Sequence, residues 1–131
     1  MKIRILFLLA FLVTSSLAFS QTVEKDSIQV ISIAQFEKMS TKKKSMVVDV
    51  RTPEEAAEGH LAGSVNINFL GENFGTEIQS LDKKKTYLLY CKSGNRTRKA
   101  AGQMLKAGFK HVYMLEGGIT NWQNSGKPVE K

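Results

Sequence analysis

From Ile28 onward the chain alternates between two apolar patterns. Short unbroken runs, "SMVVDV" at 45–50, "TYLLY" at 86–90 and "HVYML" at 111–115, predict strands covered on both faces. Between them apolar residues return every three or four positions, the spacing of helices packed on one side. Ile28–Ile31 predicts a further short strand. Ser32 then opens a helix, with Gln35 three residues on as a capping box requires, and Ile33, Phe36 and Met39 on one face. In "RTPEEAAEG", Thr52 is an N-cap, Pro53 takes the first helical position and Glu55 reaches back to the cap. Glu54 and Glu55 also suit the positive end of the helix dipole, and Gly59 ends the helix. "GSVNINF" alternates, which places Val65, Ile67 and Phe69 on one side of a strand. Residues 71–81 read as a loop and a short helix ending at Leu81. Ala100, Ala101, Met104 and Leu105 mark a longer helix that opens near Asn95 and stops at Gly108. "ITNWQNSG" is a last short helix, with Trp122 in the core. Strands alternating with helices predict a mostly parallel α/β domain.

The first residues follow another pattern. Lys2 and Arg4 precede the apolar run Ile5–Val13, and Ala18 and Ser20 stand three and one positions before Gln21. This is the arrangement of an export signal cleaved after Ser20. The run falls short of the about 20 residues a membrane span needs. The predicted organisation is a signal peptide at 1–20, a polar tether at 21–27, one domain at 28–126 and a C-terminal tail at 127–131. A periplasmic or secreted protein follows, with no membrane contact after cleavage.

Charge adds less. The formal net charge is +7, much of it in the triplets Lys42–Lys44 and Lys83–Lys85, which read as solvated turns at strand entrances. No aromatic residues interleave with them, which argues against nucleic acid as a partner. The positive field favours small anions.

Cysteine usage changes the picture more. Exported domains use cysteines in pairs, yet this chain has only Cys91. An unpaired thiol in that setting points to intermolecular pairing or to reactivity. Cys91 directly follows the strand "TYLLY", and ligands of parallel sheets bind beyond the carboxyl ends of strands. "CKSGNR" must then turn the chain into a helix within a few residues, with Gly94 supplying the conformational freedom. Such a turn aims backbone N–H groups inward as an anion nest, and the helix N-terminus adds partial positive charge. With Lys92 and Arg96 alongside, the setting favours a thiolate, the attacking form. Cys91 reads as a nucleophile. Lys92 projects to meet an anionic donor. Arg96 either binds substrate or braces the loop against a carboxylate such as Asp49 or Glu54, and bracing is favoured because the nest already supplies donors. Ser93 serves equally well as a donor to sulfur or as a turn residue.

The segments "DVRTPEEAAEGHLAGSVNI", "YCKSGNRTRKAAGQMLKAGF" and "LEGGITNW" together resemble a single-domain rhodanese, of the sulfurtransferase family. The resemblance implies a five-stranded parallel sheet with helices on both faces. It implies that Cys91 takes the sulfane sulfur of a donor such as thiosulfate, or of a protein persulfide. The resulting persulfide passes that sulfur to a thiophilic acceptor, a thiol or cyanide. Backbone N–H groups of Lys92, Ser93, Gly94, Asn95 and Arg96 would hold the anionic sulfur. No metal or organic cofactor is implied, and His60 and His111 lack a ligand pattern. Asp49 and Arg51 are implied to be structural, His60 to make a fold-stabilising hydrogen bond, and Gly117 and Gly118 to let a second loop approach the cysteine. Ala62 and Ser64 depart from the family's usual proline and alanine, away from the loop. Two other functions share this fold: a binding module without catalysis, and a phosphatase or arsenate reductase. Phosphatases resembling it have five residues between cysteine and arginine, where this chain has four.

Overall fold

The computed structural model describes residues 28–131; the signal peptide and tether expected at 1–27 lie outside the described residues. Its elements run β1 (Gln29–Ile31), α1 (Ile33–Ser40), β2 (Ser45–Asp49), α2 (Pro53–Glu58), β3 (Val65–Asn66), α3 (Phe74–Gln79), β4 (Thr86–Tyr90), α4 (Asn95–Lys106), β5 (His111–Leu115) and α5 (Gly118–Asn124). The five strands form one sheet in the order β1-β5-β4-β2-β3, and every pairing is parallel. The apolar runs occupy its middle three strands, where both faces need cover.

Successive residues of a strand point to opposite faces, so each run feeds two cores. Val48, Tyr87, Leu89, Val112 and Met114 pack on one side with Phe74 and Ile78 of α3 and with Ala100, Ala101 and Met104 of α4. Val47, Leu88, Tyr90 and Leu115 pack on the other with Phe36 of α1 and with Ile119 and Trp122 of α5. Trp122 is a core residue, as its sequence context predicts, and meets Phe36 edge to face at 6.4 Å.

The caps explain where the helices start. Thr52 and Glu55 form the full capping box of α2, with Thr52 Oγ1 accepting from Glu55 N–H and Glu55 Oε2 accepting from Thr52 N–H. At α1 only half of the expected box forms: Ser32 Oγ accepts from Gln35 N–H at 3.2 Å.

One expectation needs correction. Only Val65 and Asn66 pair with β2, and Val65 is 44% exposed while Ile67 is buried, so the three apolar residues do not share a covered side. Beyond Asn66 the contact with the end of β2 continues only through Ile67 and Phe69, whose N–H groups donate to the Asp49 and Val50 carbonyls. The C-terminal tail, 127–131, packs on the domain. Trp122 Nε1–H donates to the Pro128 carbonyl, Lys127 pairs with Glu37, and His60 and Glu130 exchange both backbone hydrogen bonds.

Candidate active site

Parallel pairing brings every strand's carboxyl end to one rim. Cys91 stands there, one residue past β4, with 1% of its surface exposed. Gly94 adopts φ 131°, which other residues resist, and so turns the chain back over the cysteine. Its N–H donates to Cys91 Sγ at 3.1 Å. Asn95 then begins α4, and the N-terminus of that helix faces the loop. Lys92 and Ser93 are exposed on the loop, one beside each of two clefts. The Lys92 cleft, of about 270 Å³, is walled by Arg51, Glu58, Thr120 and Gln123, and the Ser93 cleft is smaller, about 160 Å³.

A second element closes on the loop. Ile119 N–H donates to the Cys91 carbonyl at 2.9 Å and Thr120 N–H to the Lys92 carbonyl at 3.1 Å. That approach requires a bare backbone: a Cβ at Gly118 would overlap the Lys92 carbonyl oxygen and come within 2.6 Å of the Cys91 one. Gly117, at φ 71°, turns the chain into α5. Gly118 thus allows the close approach expected of it, whereas a Cβ at Gly117 would meet the Asn121 side chain of α5 rather than the cysteine loop.

Arg96 is a brace, though not to either carboxylate the sequence suggests. Its guanidinium grips Glu55 with two bonds, 2.6 and 2.9 Å. Glu54 is exposed, and Asp49 is occupied elsewhere. The capping box supplies the reason: it folds Glu55 back over the start of α2, toward the loop, and leaves its neighbour outward. The Arg96 hydrogen bonds hold the Glu55 carboxyl down at about 2, and Arg96 is raised in turn. Glu55 therefore contributes stability that is complete above its unfolded value and is lost as pH falls toward 2. Glu55→Gln should lower stability at neutral pH and show a shallower further loss between pH 5 and 2, read from urea midpoints across that range.

Beneath the rim lies a buried polar network. Asp49 accepts from Arg51 Nε at 2.9 Å and Nη2 at 2.6 Å, and from the Tyr90 hydroxyl at 2.8 Å. Arg51 also donates to the Gly59 carbonyl at 2.7 Å, and Leu61 N–H donates to the Tyr90 hydroxyl at 3.0 Å. Burial pushes Tyr90 up to about 12, so its hydroxyl keeps its proton to donate. His60 Nδ1 lies 3.1 Å from the Ala56 carbonyl, the kind of structural hydrogen bond the resemblance implies. These residues tie β2, β4 and the α2 segment together without reaching the sulfur.

Sequence reasoning missed three participants. Glu55 was identified only as a cap, and Tyr90 only as an apolar strand residue. Thr97 passed unnoticed on the first turn of α4, where it shares a stripe with Ala100, Ala101 and Met104, the side that packs with Cys91. Its hydroxyl is the one buried side-chain oxygen or nitrogen among the described residues that lacks a partner. Thr97→Val removes that unsatisfied group at constant shape, so stability should rise by about 1 kcal/mol. Thermal unfolding of the two proteins checks this.

Comparison with known proteins agrees with the geometry. The family described as the rhodanese-like domain matches residues 32–125. A tRNA uridine(34) hydroxylase of Buchnera aphidicola is 36% identical over 107 residues, 76% of this chain but 33% of that protein, so the chain spans about a third of that relative. The chloroplastic thiosulfate sulfurtransferase 16 of Arabidopsis thaliana is 31% identical over 93 residues, covering 63% of this chain and 78% of that one. The crystal structure of a rhodanese-related protein from Thermoplasma volcanium superimposes with a TM-score of 0.64 at 30% identity, over 78% of this chain and 97% of the other. A lone buried cysteine in a tight glycine-turned loop, on a five-stranded parallel sheet with helices on both faces, and a family match across that whole domain lead to one conclusion: the chain belongs to the rhodanese-like family.

Proposed function

We propose that this protein is an exported sulfurtransferase that carries sulfane sulfur on Cys91. The observation that carries the reading is the Gly94 N–H aimed at Cys91 Sγ inside a loop braced at its far end by Arg96 and Glu55. The thiolate attacks the outer sulfur of thiosulfate; the new S–S bond forms as the old one breaks, and sulfite leaves with the bonding pair. An acceptor thiolate, or cyanide, then attacks the outer sulfur of the persulfide, and Cys91 departs as a thiolate. Splitting the transfer through a covalent intermediate replaces one difficult step by two easier ones. Loop N–H groups stabilise the anionic sulfur in both states.

Lys92 and Arg98 are exposed cations beside the loop, one at each cleft, and the role assigned to Lys92 is to hold the anionic donor. Lys92→Ala should raise KM for thiosulfate severalfold with little change in kcat, because that contact is present in both the ground and transition states. An unchanged KM would return Lys92 to solvent. The four-residue spacing between Cys91 and Arg96 suits a single sulfur atom better than a tetrahedral phosphate, so aryl phosphates should not be hydrolysed. The binding-module alternative predicts neither activity. Export rests on Lys2, Arg4, the short apolar run and Ala18 and Ser20; N-terminal sequencing of exported protein should begin at Gln21.

A further inference from the structure

The rim opposite Cys91 has an unusual charge distribution. Parallel pairing gathers the entrances of β2, β4 and β5 at one pole, as neighbours in the sheet. Lys42–Lys44 precede β2, Lys83–Lys85 precede β4, Lys106 ends α4 and Lys110 directly precedes β5. Ser45, Thr86 and His111 are in register, so Lys44, Lys85 and Lys110 each stand one residue before the same row. Adjacent strands are about 4.8 Å apart, which sets three like charges side by side. Apart from the half-buried Lys85, these lysines are exposed. None takes part in an ion pair among the described residues.

Asp82 is the one carboxylate on these turns, and its Oδ1 accepts from Lys84 N–H. Elsewhere in residues 28–131 the other eight lysines and arginines face nine carboxylates. The positive excess of the described fold therefore resides at this pole. Like charges in a row repel one another, and an anionic surface relieves that repulsion.

The composition of the pole selects among anionic partners. It is made of lysines alone, diffuse point charges without the forked geometry by which arginine grips individual phosphates. It offers no exposed Phe, Tyr or Trp ring on which bases could stack, since Tyr87 and Phe109 are buried, and a single exposed imidazole, that of His111, makes no stacking platform. It also lacks an apolar anchor for a protein partner: the exposed large apolar residues, Val30, Val65 and Leu70, lie on the β1 and β3 edges and the loop after β3. Attraction to a charged bilayer needs neither rings nor anchors.

Against the expectation from sequence of no membrane contact after cleavage, we propose that the lysine pole adsorbs to membranes containing anionic phospholipid, which turns the Cys91 rim away from the bilayer toward soluble partners. The adsorption surface does not depend on the chemistry proposed for Cys91. Co-sedimentation with phosphatidylcholine vesicles, with and without about one third phosphatidylglycerol, tests it. The protein should bind the anionic vesicles and not the neutral ones. It should detach at molar salt, where the screening length falls to about 3 Å. Each lysine near the surface contributes roughly fivefold to partitioning. Replacing Lys42, Lys43, Lys83 and Lys84 with Gln should then weaken binding on the order of several hundredfold. Lys99→Gln with Lys131→Gln should leave binding within a few-fold of the original. Neither set should change thiosulfate:cyanide transfer, and Cys91 on bound protein should be alkylated as fast as on free protein. Equal binding to neutral vesicles, equal loss in both sets of variants, or binding to RNA but not to vesicles would each overturn the proposal. Slowed alkylation on the vesicle would overturn the orientation.

Discussion

Cys91→Ser should abolish sulfur transfer while leaving the fold intact. The two side chains are near in size, and a serine hydroxyl can still accept from Gly94 N–H, so the thermal midpoint should move by only a few degrees. A serine hydroxyl is far less acidic than a thiol and forms no persulfide. Activity should accordingly drop by several orders of magnitude, as when a covalent nucleophile is removed from other enzymes. The pair of results separates chemistry from structure: lost activity with an unchanged midpoint assigns the reaction to the sulfur. Residual turnover within tenfold of the original protein would assign it elsewhere.

Asp49→Ala should be the most damaging substitution for stability. Asp49 is fully buried and holds both Arg51 and the Tyr90 hydroxyl. Without it the Arg51 guanidinium, itself 7% exposed, is left as an uncompensated interior charge. Breaking such a pair from one side costs about 3–5 kcal/mol. Typical domains have only about 5–15 kcal/mol in total, so the variant should unfold at much lower urea. Asp49→Asn keeps an acceptor oxygen and should lie between the two. The contrast with Glu55→Gln is instructive, because the Glu55–Arg96 pair is partly solvated and its loss should cost far less.

The parts of the fold legible in the sequence were those fixed by local chemistry. Continuous runs such as Thr86–Tyr90 can be read as central strands because both faces must be covered. Thr52, Pro53 and Glu55 mark a helix start because each satisfies a local backbone requirement. Cys91 and Gly94 stand out because a turn that short constrains which residues fit. What escaped depends on contacts between distant segments. Arg96 and Glu55 are 41 residues apart, and the sequence shows that an arginine needs a carboxylate but not which one. Tyr90 reads as one more apolar strand residue until Asp49 and Leu61 are brought to its hydroxyl. The exposed Val65 and the docked Glu130 follow from where the sheet ends, a property of the assembled molecule.

The central claim is that Cys91 carries sulfur, and mass tests it most directly. The purified protein, reduced, freed of reductant and incubated with thiosulfate, should gain the mass of one sulfur atom. The gain should map to the peptide containing Cys91, disappear on addition of cyanide with release of thiocyanate, and be absent from Cys91→Ser. A protein that stays at its original mass under thiosulfate and under a persulfide donor, with its thiol free to react, would contradict the account.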